Sequence, residues 1–434
     1  MSLLENESII NVYHKDKKKS IDISRRIDIF LILIILILLI SPFLVNFFFR
    51  MKAEITQINL YISPHFEELL GKETVETLLL EFGEQNPDLR VRTANPAEGK
   101  NADIFIFDES EYRTLVASGS LKELNSYIYG TSVRFSTARR QLAIPLVSFM
   151  DLLFFNIDLL TAAGFDRPPK TKEEFLTYAR AVSGGNEGLL ENAYGTALSL
   201  SFRDGQAIPR DIFSWIWASG GDFHPEENRP FLNAAAMSAD ISFLGILYRE
   251  RLLAPRIFDT TGDQRLEEFA QGKIAMMVAS TRAIPYFRKK MGDDTFGITA
   301  IPFSGNGSGS WGKYSIGLSN IYAGIHKECE YPDEAWSFLE FLAGKSPLFC
   351  EILKAVPGVV SDIIPGDYVK NDPIYSKARD IFESSAVVQS FSGNPNSEKY
   401  ENAFLEELQF LFRSNRSPQD TINAIQRRWD EIGR

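Results

Sequence analysis

The chain has 434 residues, with 46 Lys and Arg against 57 Asp and Glu, a formal net charge of −11. That length holds two ordinary domains with sizeable cores. The acidic balance argues against nucleic acid and against an anionic lipid surface as the partner of the bulk of the chain.

The first element is an apolar run, IFLILIILILLISPFLVNFFF (29–49), with no charge in it. As a helix at about 1.5 Å per residue it spans about 30 Å, the thickness of a bilayer core. It is longer than a signal-peptide core, and NFFFRMKAE after it carries no A-x-A cleavage pattern. No cysteine lies nearby to take a lipid. We therefore expect an uncleaved membrane anchor. Lys15, Lys17, Lys18, Lys19, Arg25 and Arg26 precede it. The positive-inside rule then puts the tail (1–28) in the cytoplasm and the rest outside. Residues 1–26 carry six basic and four acidic side chains, which leaves −13 for the remainder.

Beyond the anchor, strands and helices alternate. Residues 55–62 read as a strand. Val75, Leu78, Leu79 and Phe82 form the stripe of an amphipathic helix that ends near Asn86-Pro87. LRVRT (89–93) and ADIFIFD (102–108) read as strands, and a short helix with Leu115 and Val116 stops at Gly119. The pattern predicts an α/β domain with parallel pairing. LAIPLVSFMDLLFFN (142–156) is a long apolar run interrupted by Pro145, which predicts a strand entering a crossover. Thr171 with Glu174 predicts a capping box and a helix to about Val182. Helices follow at 234–252 and 264–271, the second stopped by Gly272, then strands at 274–279 and 296–301.

GNGSGSWGKYS (305–315) approximates a nucleotide-binding P-loop. Tyr314 stands where that loop needs Ser or Thr, and YSIGLSNIYAGI (314–325) reads as a strand rather than a helix. It is a loop between strands, not a phosphate cradle. The last third is helical: 333–342, a helix opened by Ser346-Pro347, one holding Phe404, Leu408 and Leu411, and one begun by Ser417-Pro418 with Ile422, Ile425 and Trp429 inward. Cys329 and Cys350 are the only cysteines. Their pairing is open, since a disulfide needs a geometry that sequence does not give, and Cys350 also reads as a buried helix residue. No H-E-x-x-H or G-x-S-x-G occurs among the residues, and neither cysteine has metal-ligand spacing. We expect no enzyme, no metal and no cofactor.

Several stretches together resemble the extracellular solute-binding proteins of ABC importers, in particular the carbohydrate-binding group that includes maltose-binding protein. They are LLLEFGEQNPDLRVR (78–92), ADIFIFDESEYRTLVASGSLKEL (102–124), AIPLVSFMDLLFFNIDLLTAAGFDRPPKTKEEF (143–175), EEFAQGKIAMMVAS (267–280), FGITAIPF (296–303) and AWSFLEFLAG (335–344). The third is the most specific. The anchor departs from the group's usual signal peptide or lipid-modified cysteine, and Lys172 stands where the group has Trp. The resemblance implies a two-lobed periplasmic-binding-protein fold with discontinuous lobes joined by hinge strands: lobe one from 53–148 and 296–330, lobe two from 149–295 and 331–434. It implies a carbohydrate (oligosaccharide or polyol) captured between the lobes and delivered to ABC transporter permease subunits, on the periplasmic side of the cell membrane. A ligand-sensing subunit of a membrane signalling partner is the alternative.

Sugar sites pair aromatic rings with planar polar groups, and ligands of open α/β sheets lie beyond the carboxyl ends of strands. The candidate ligand-binding residues are therefore Ser63 and His65 after the first strand and Asp108 and Ser110 after ADIFIFD, and the resemblance implies Ser148 and Phe149 at the floor of the cleft. Trp215 or Trp217 lies before Gly220-Gly221, Ser280 and Arg282 follow the returning strand, and Trp311 and Tyr314 belong to the Gly/Ser loop, which the resemblance implies is brought to the cleft.

Overall fold

The computed structural model describes residues 40–41, 55–94, 102–128, 141–185, 188–205, 208–220, 225–226, 229–230, 232, 234–303, 314–358, 367–388, 393–414 and 416–434. Of the expected anchor only Ile40 and Ser41 fall among them, so that segment lies outside the described residues, as does Trp311. Among the described residues no helix is long and apolar enough to cross a membrane. The chain divides into a small unit, which includes residues 86–90, and a large one of residues 57–85 and 91–434, which carries the features below.

The strands of the main sheet, in chain order, are β1 (Thr56–Ile62), β2 (Leu89–Thr93), β3 (Ile104–Asp108), β4 (Ile144–Asn156), β5 (Tyr194–Thr196), β6 (Ile274–Ser280), β7 (Phe296–Thr299), β8 (Tyr314–Ile325), β9 (Val356–Pro357) and β10 (Ser385–Val388). The principal helices are α1 (Pro64–Leu70), α2 (Lys72–Gln85), α3 (Glu109–Ala117), α4 (Ile157–Ala162), α5 (Lys172–Ser183), α6 (Ser214–Ala218), α7 (Ala234–Arg249), α8 (Gly262–Ala270), α9 (Ile284–Met291), α10 (Pro332–Gly344), α11 (Ser346–Leu353), α12 (Pro373–Glu383), α13 (Ser397–Arg413) and α14 (Pro418–Ile432).

Two strands organise the fold. The first half of β4 pairs antiparallel with β8, from Ile144↔Ala323 to Met150↔Leu318. Its second half pairs antiparallel with β6, Asp151↔Ser280 to Phe155↔Met276, and with β7, Leu153↔Thr299 to Asn156↔Phe296. In the same way β8 pairs with β10 over Tyr314–Gly317 and with β3 over Ile321–Ile325. Each strand thus leaves one set of partners for another midway along its length, and two lobes share them. The parallel pairing expected of the first strands holds for β1 with β3, and β5 with β6 is parallel too. The strands that cross the middle of the sheet pair antiparallel, because strands that return through both lobes run against their neighbours.

Pro145 is the second residue of β4. The ladder with β8 shifts between Ile321 and Tyr322, which face Val147 and Pro145. Such a bulge absorbs the missing N–H of a proline in a central strand. Thr171 accepts from the Glu174 N–H at 3.2 Å as expected. The Glu174 carboxylate instead accepts from the Arg167 guanidinium and the Lys170 N–H. Reciprocal capping boxes occur at Asp108–Glu111 and Thr261–Gln264.

Around the crossing strands lie separate apolar cores. One gathers α5, α6, α7, α13 and α14, with Trp215, Phe404 and Trp429 fully buried. Another packs Phe105, Phe107, Tyr112 and Val116 beside β3. On α2, Val75, Leu78 and Phe82 face inward as their spacing requires, with the Phe82 ring 4.9 Å from that of Phe338 on α10. Cys329 and Cys350 are both buried free thiols.

Candidate functional site

The candidate site lies where β4 and β8 change partners. β3 ends at Asp108, whose carboxylate caps α3 by accepting from the Ser110 and Glu111 N–H groups at 2.9 and 3.1 Å. This cap fixes the next residue, Glu109, which is 5% exposed. The Ser148 hydroxyl donates to Asn320 Oδ1 (2.5 Å), the Asn320 amide donates to the Tyr322 hydroxyl (2.8 Å), and Tyr322 donates to Glu109 Oε2 (3.1 Å). The Asn320 N–H also donates to Glu109. Burial and the Glu109 charge hold the Tyr322 phenol well above its usual value, so it stays a donor. Ser63 is buried, its N–H donating to Ile106 O on β3 at 2.8 Å.

On the next β4 positions the chemistry changes. The Arg282 guanidinium lies 4.6 Å from the centre of the Phe149 ring, and its Nε has no hydrogen-bond partner among the described residues. Burial pulls its pKa down, against the charges of Asp108 and Glu109. Ser280 caps the turn that carries Arg282 and stands in register with Asp151. Asp151 is 7% exposed. Burial pushes its carboxyl up to about 7; Arg210 opposes the shift, and Asp211 and Glu109 reinforce it. Arg210 itself donates to Asp204 and Asp211 at 2.9 Å. A hollow of about 520 Å³ opens here, lined by Arg210, Met277, Ser280, Arg282 and Tyr286 among others.

The Trp217 ring packs against β8 at Gly317. A Cβ built there would stand 2.6 Å from the indole and 3.5 Å from Asp151 Oδ2. A second buried contact ties distant elements together: Arg113 on α3 donates to Glu401 on α13 at 2.7 Å and to the Gly205 carbonyl at 2.8 Å. Burial raises the Glu401 carboxyl to about 7, with Arg113 opposing.

Of the sequence candidates, Ser63, Asp108, Ser148, Phe149, Ser280 and Arg282 gather around these strands. His65 and Ser110 are exposed on the first turns of α1 and α3. Trp215 is corrected: it is 1% exposed and packed between Phe175 and Phe243, at 4.9 and 5.0 Å, as a core residue of α6. Tyr314 opens β8 opposite Ser385. Sequence reasoning missed Glu109, Asp151 and Asn320, and named Trp217 only as the alternative to Trp215. Asp151 carried a signal, being the one acid inside the run IPLVSFMDLLFF. Among the described residues no cluster of His, Cys, Asp and Glu is placed to hold a metal ion.

The sequence pattern of the bacterial extracellular solute-binding proteins matches residues 52–347. A binding protein of Brucella abortus is 21% identical over 314 residues, 68% of this chain and 72% of the relative. An ABC transporter-binding protein of Deinococcus radiodurans is 21% identical over 296 residues, 66% of this chain and 67% of the relative. Among solved structures, the cyclic alpha-maltosyl-1,6-maltose binding protein of Arthrobacter globiformis superposes with a TM-score of 0.69. It is 15% identical and aligns over 87% of this chain and 99% of its own. An ABC transporter solute-binding protein of Thermotoga lettingae, bound with alpha-D-tagatose, gives 0.65 at 16% identity, over 87% and 100%. At these identities the superpositions establish the two-lobed α/β fold.

Proposed function

The chain belongs to the bacterial extracellular solute-binding protein family, a family of binding proteins rather than enzymes, and we propose that it is a membrane-tethered receptor that captures a carbohydrate between its lobes and hands it to an ABC importer. One observation carries the ligand class. At the strand crossing, a guanidinium lies 4.6 Å from the centre of an aromatic ring with one donor unpaired among the described residues, it and the Ser280 hydroxyl line a hollow of about 520 Å³, and the buried Asp151 stands in register with Ser280. A buried donor and a buried acceptor that do not satisfy each other each cost stability until a partner arrives. Sugar hydroxyls both donate and accept, and the C–H face of a pyranose stacks on a ring. The sugars named for the superposed structures of Arthrobacter and Thermotoga agree with this reading.

Ligand that touches both lobes only when they approach biases the receptor toward closure. The uncharged run 29–49 would hold it beside its permease and raise the effective concentration there. Thermal unfolding of the detergent-solubilised full chain against a panel of neutral mono- and oligosaccharides, amines and peptides tests the ligand class, because a ligand of the folded state raises the melting temperature. We expect a shift with a carbohydrate. A shift with an amine or peptide and with no sugar overturns the reading.

A further inference from the structure

We infer that Asp151 is a specificity-determining, ligand-contacting carboxylate that accepts neighbouring hydroxyls of the carbohydrate held beside Phe149, Ser280 and Arg282. This rests on the carbohydrate reading above and names the acceptor that the reading leaves open. The geometry is unusual for a structural residue. Asp151 occupies the midpoint of β4, inside an apolar run, and is 7% exposed. Among the described residues no side chain or backbone group hydrogen-bonds to its carboxyl, and no cation lies within ion-pair distance. A buried carboxylate with no partner is costly to the folded state, so a purely structural design would put Leu, Asn or a paired acid here.

Its surroundings explain why the partner must come from outside. Arg210 is the nearby cation, and Asp204 and Asp211 occupy it. Asp211 and Glu109 face Asp151 with like charge. The Trp217 ring and the Cβ-less Gly317 flank it closely, and Ser280 stands across the ladder. Arg282, whose Nε has no hydrogen-bond partner among the described residues, lies on the turn that Ser280 caps, and both line the hollow of about 520 Å³. A ligand presenting donors to Asp151 and acceptors to Arg282 satisfies both at once. It also lowers the carboxyl pKa by hydrogen-bonding its charged form.

Two linkages follow. In the ligand-free protein the Asp151 carboxyl is pushed up to about 7 from an ordinary 3.8. A raised carboxyl pKa contributes stability that is present below about pH 4 and is lost as pH rises through about 7. Binding that lowers the pKa releases a proton, so affinity rises with pH across the same window.

The test uses the full chain in detergent, with Asp151→Asn beside wild type and maltotriose, cellotriose and tagatose as probes. In the ligand-free protein Asp151→Asn should raise the melting temperature by about 2–4 °C at pH 8 and by less at pH 5.5. Titrated with a probe that binds wild type, it should lose about 10- to 100-fold in affinity. Wild-type affinity should rise about tenfold from pH 6 to pH 8, and Asp151→Asn should be flat. A variant that is destabilised at both pH values, or that binds with wild-type affinity and pH profile, overturns the inference and leaves the carbohydrate reading standing. If no sugar of the wider panel binds wild type while an amine or peptide does, the carbohydrate reading falls, and this assignment falls with it.

Discussion

Lys172 shows what a single residue does here that its neighbours in sequence do not announce. The group this chain resembles has Trp at that position, and a lysine directly after a helix cap reads as a solvated charge. In the fold it is 2% exposed. Its ammonium donates to the Trp215 carbonyl (3.0 Å), to Ser219 Oγ (2.8 Å) and to Asp240. It thereby pins the C-terminal end of α6, the helix that carries Trp217, to α5 and α7. The partner lies 68 positions away, so no local pattern reveals the pair. Removing one member of a buried pair leaves an uncompensated charge, at a cost of about 3–5 kcal/mol. Lys172→Met should therefore lower the unfolding free energy by about that much in denaturant titrations. Lys172→Met with Asp240→Leu should recover most of it. If the single variant is as stable as wild type, the pair is not holding α6. Trp215 was misread for the same reason: its spacing from Gly220-Gly221 says nothing about which side of α6 faces the core.

At the scale of elements, periodicity and caps made most helices legible. The stripe of α2 and the inward set of α14 (Ile422, Ile425, Trp429) are buried as their spacing demands. Ser417 caps α14 by accepting from the Asp420 N–H at 3.1 Å. The crossing strands were less legible. A run as apolar as β4 is buried on both faces, so its alternation carries no information about which partners it meets. The change of partner at Asp151 and the bulge beside Pro145 depend on residues 130–180 positions away. The same holds for Gly317 on β8, which leaves room for the Trp217 ring. Gly317→Ala would place a methyl 2.6 Å from the indole, and overpacking of this kind costs about 1–3 kcal/mol. We expect Gly317→Ala to unfold at lower denaturant and to regain stability when Trp217→Leu is added. If Gly317→Ala is as stable as wild type, the ring is not packed on the strand.

For the whole molecule, composition and element order gave the α/β class, and the quoted motifs in their order gave the family; residues 52–347 match it. What no pattern gave was how the site assembles. Arg113–Glu401 joins helices 288 positions apart, and Glu109, Ser148 and Asn320 meet only because β3, β4 and β8 lie side by side. The central claim is that ligand is held between two lobes at the crossing of β4 and β8. Amide hydrogen exchange on the full chain, with and without the carbohydrate that gives the largest thermal shift, tests it most directly, since binding slows exchange in the segments it orders. The account predicts slowed exchange together in the first turns of α1 and α3 and in the turn at 281–283. Protection confined to one of these segments, or found only elsewhere on the surface, would contradict it.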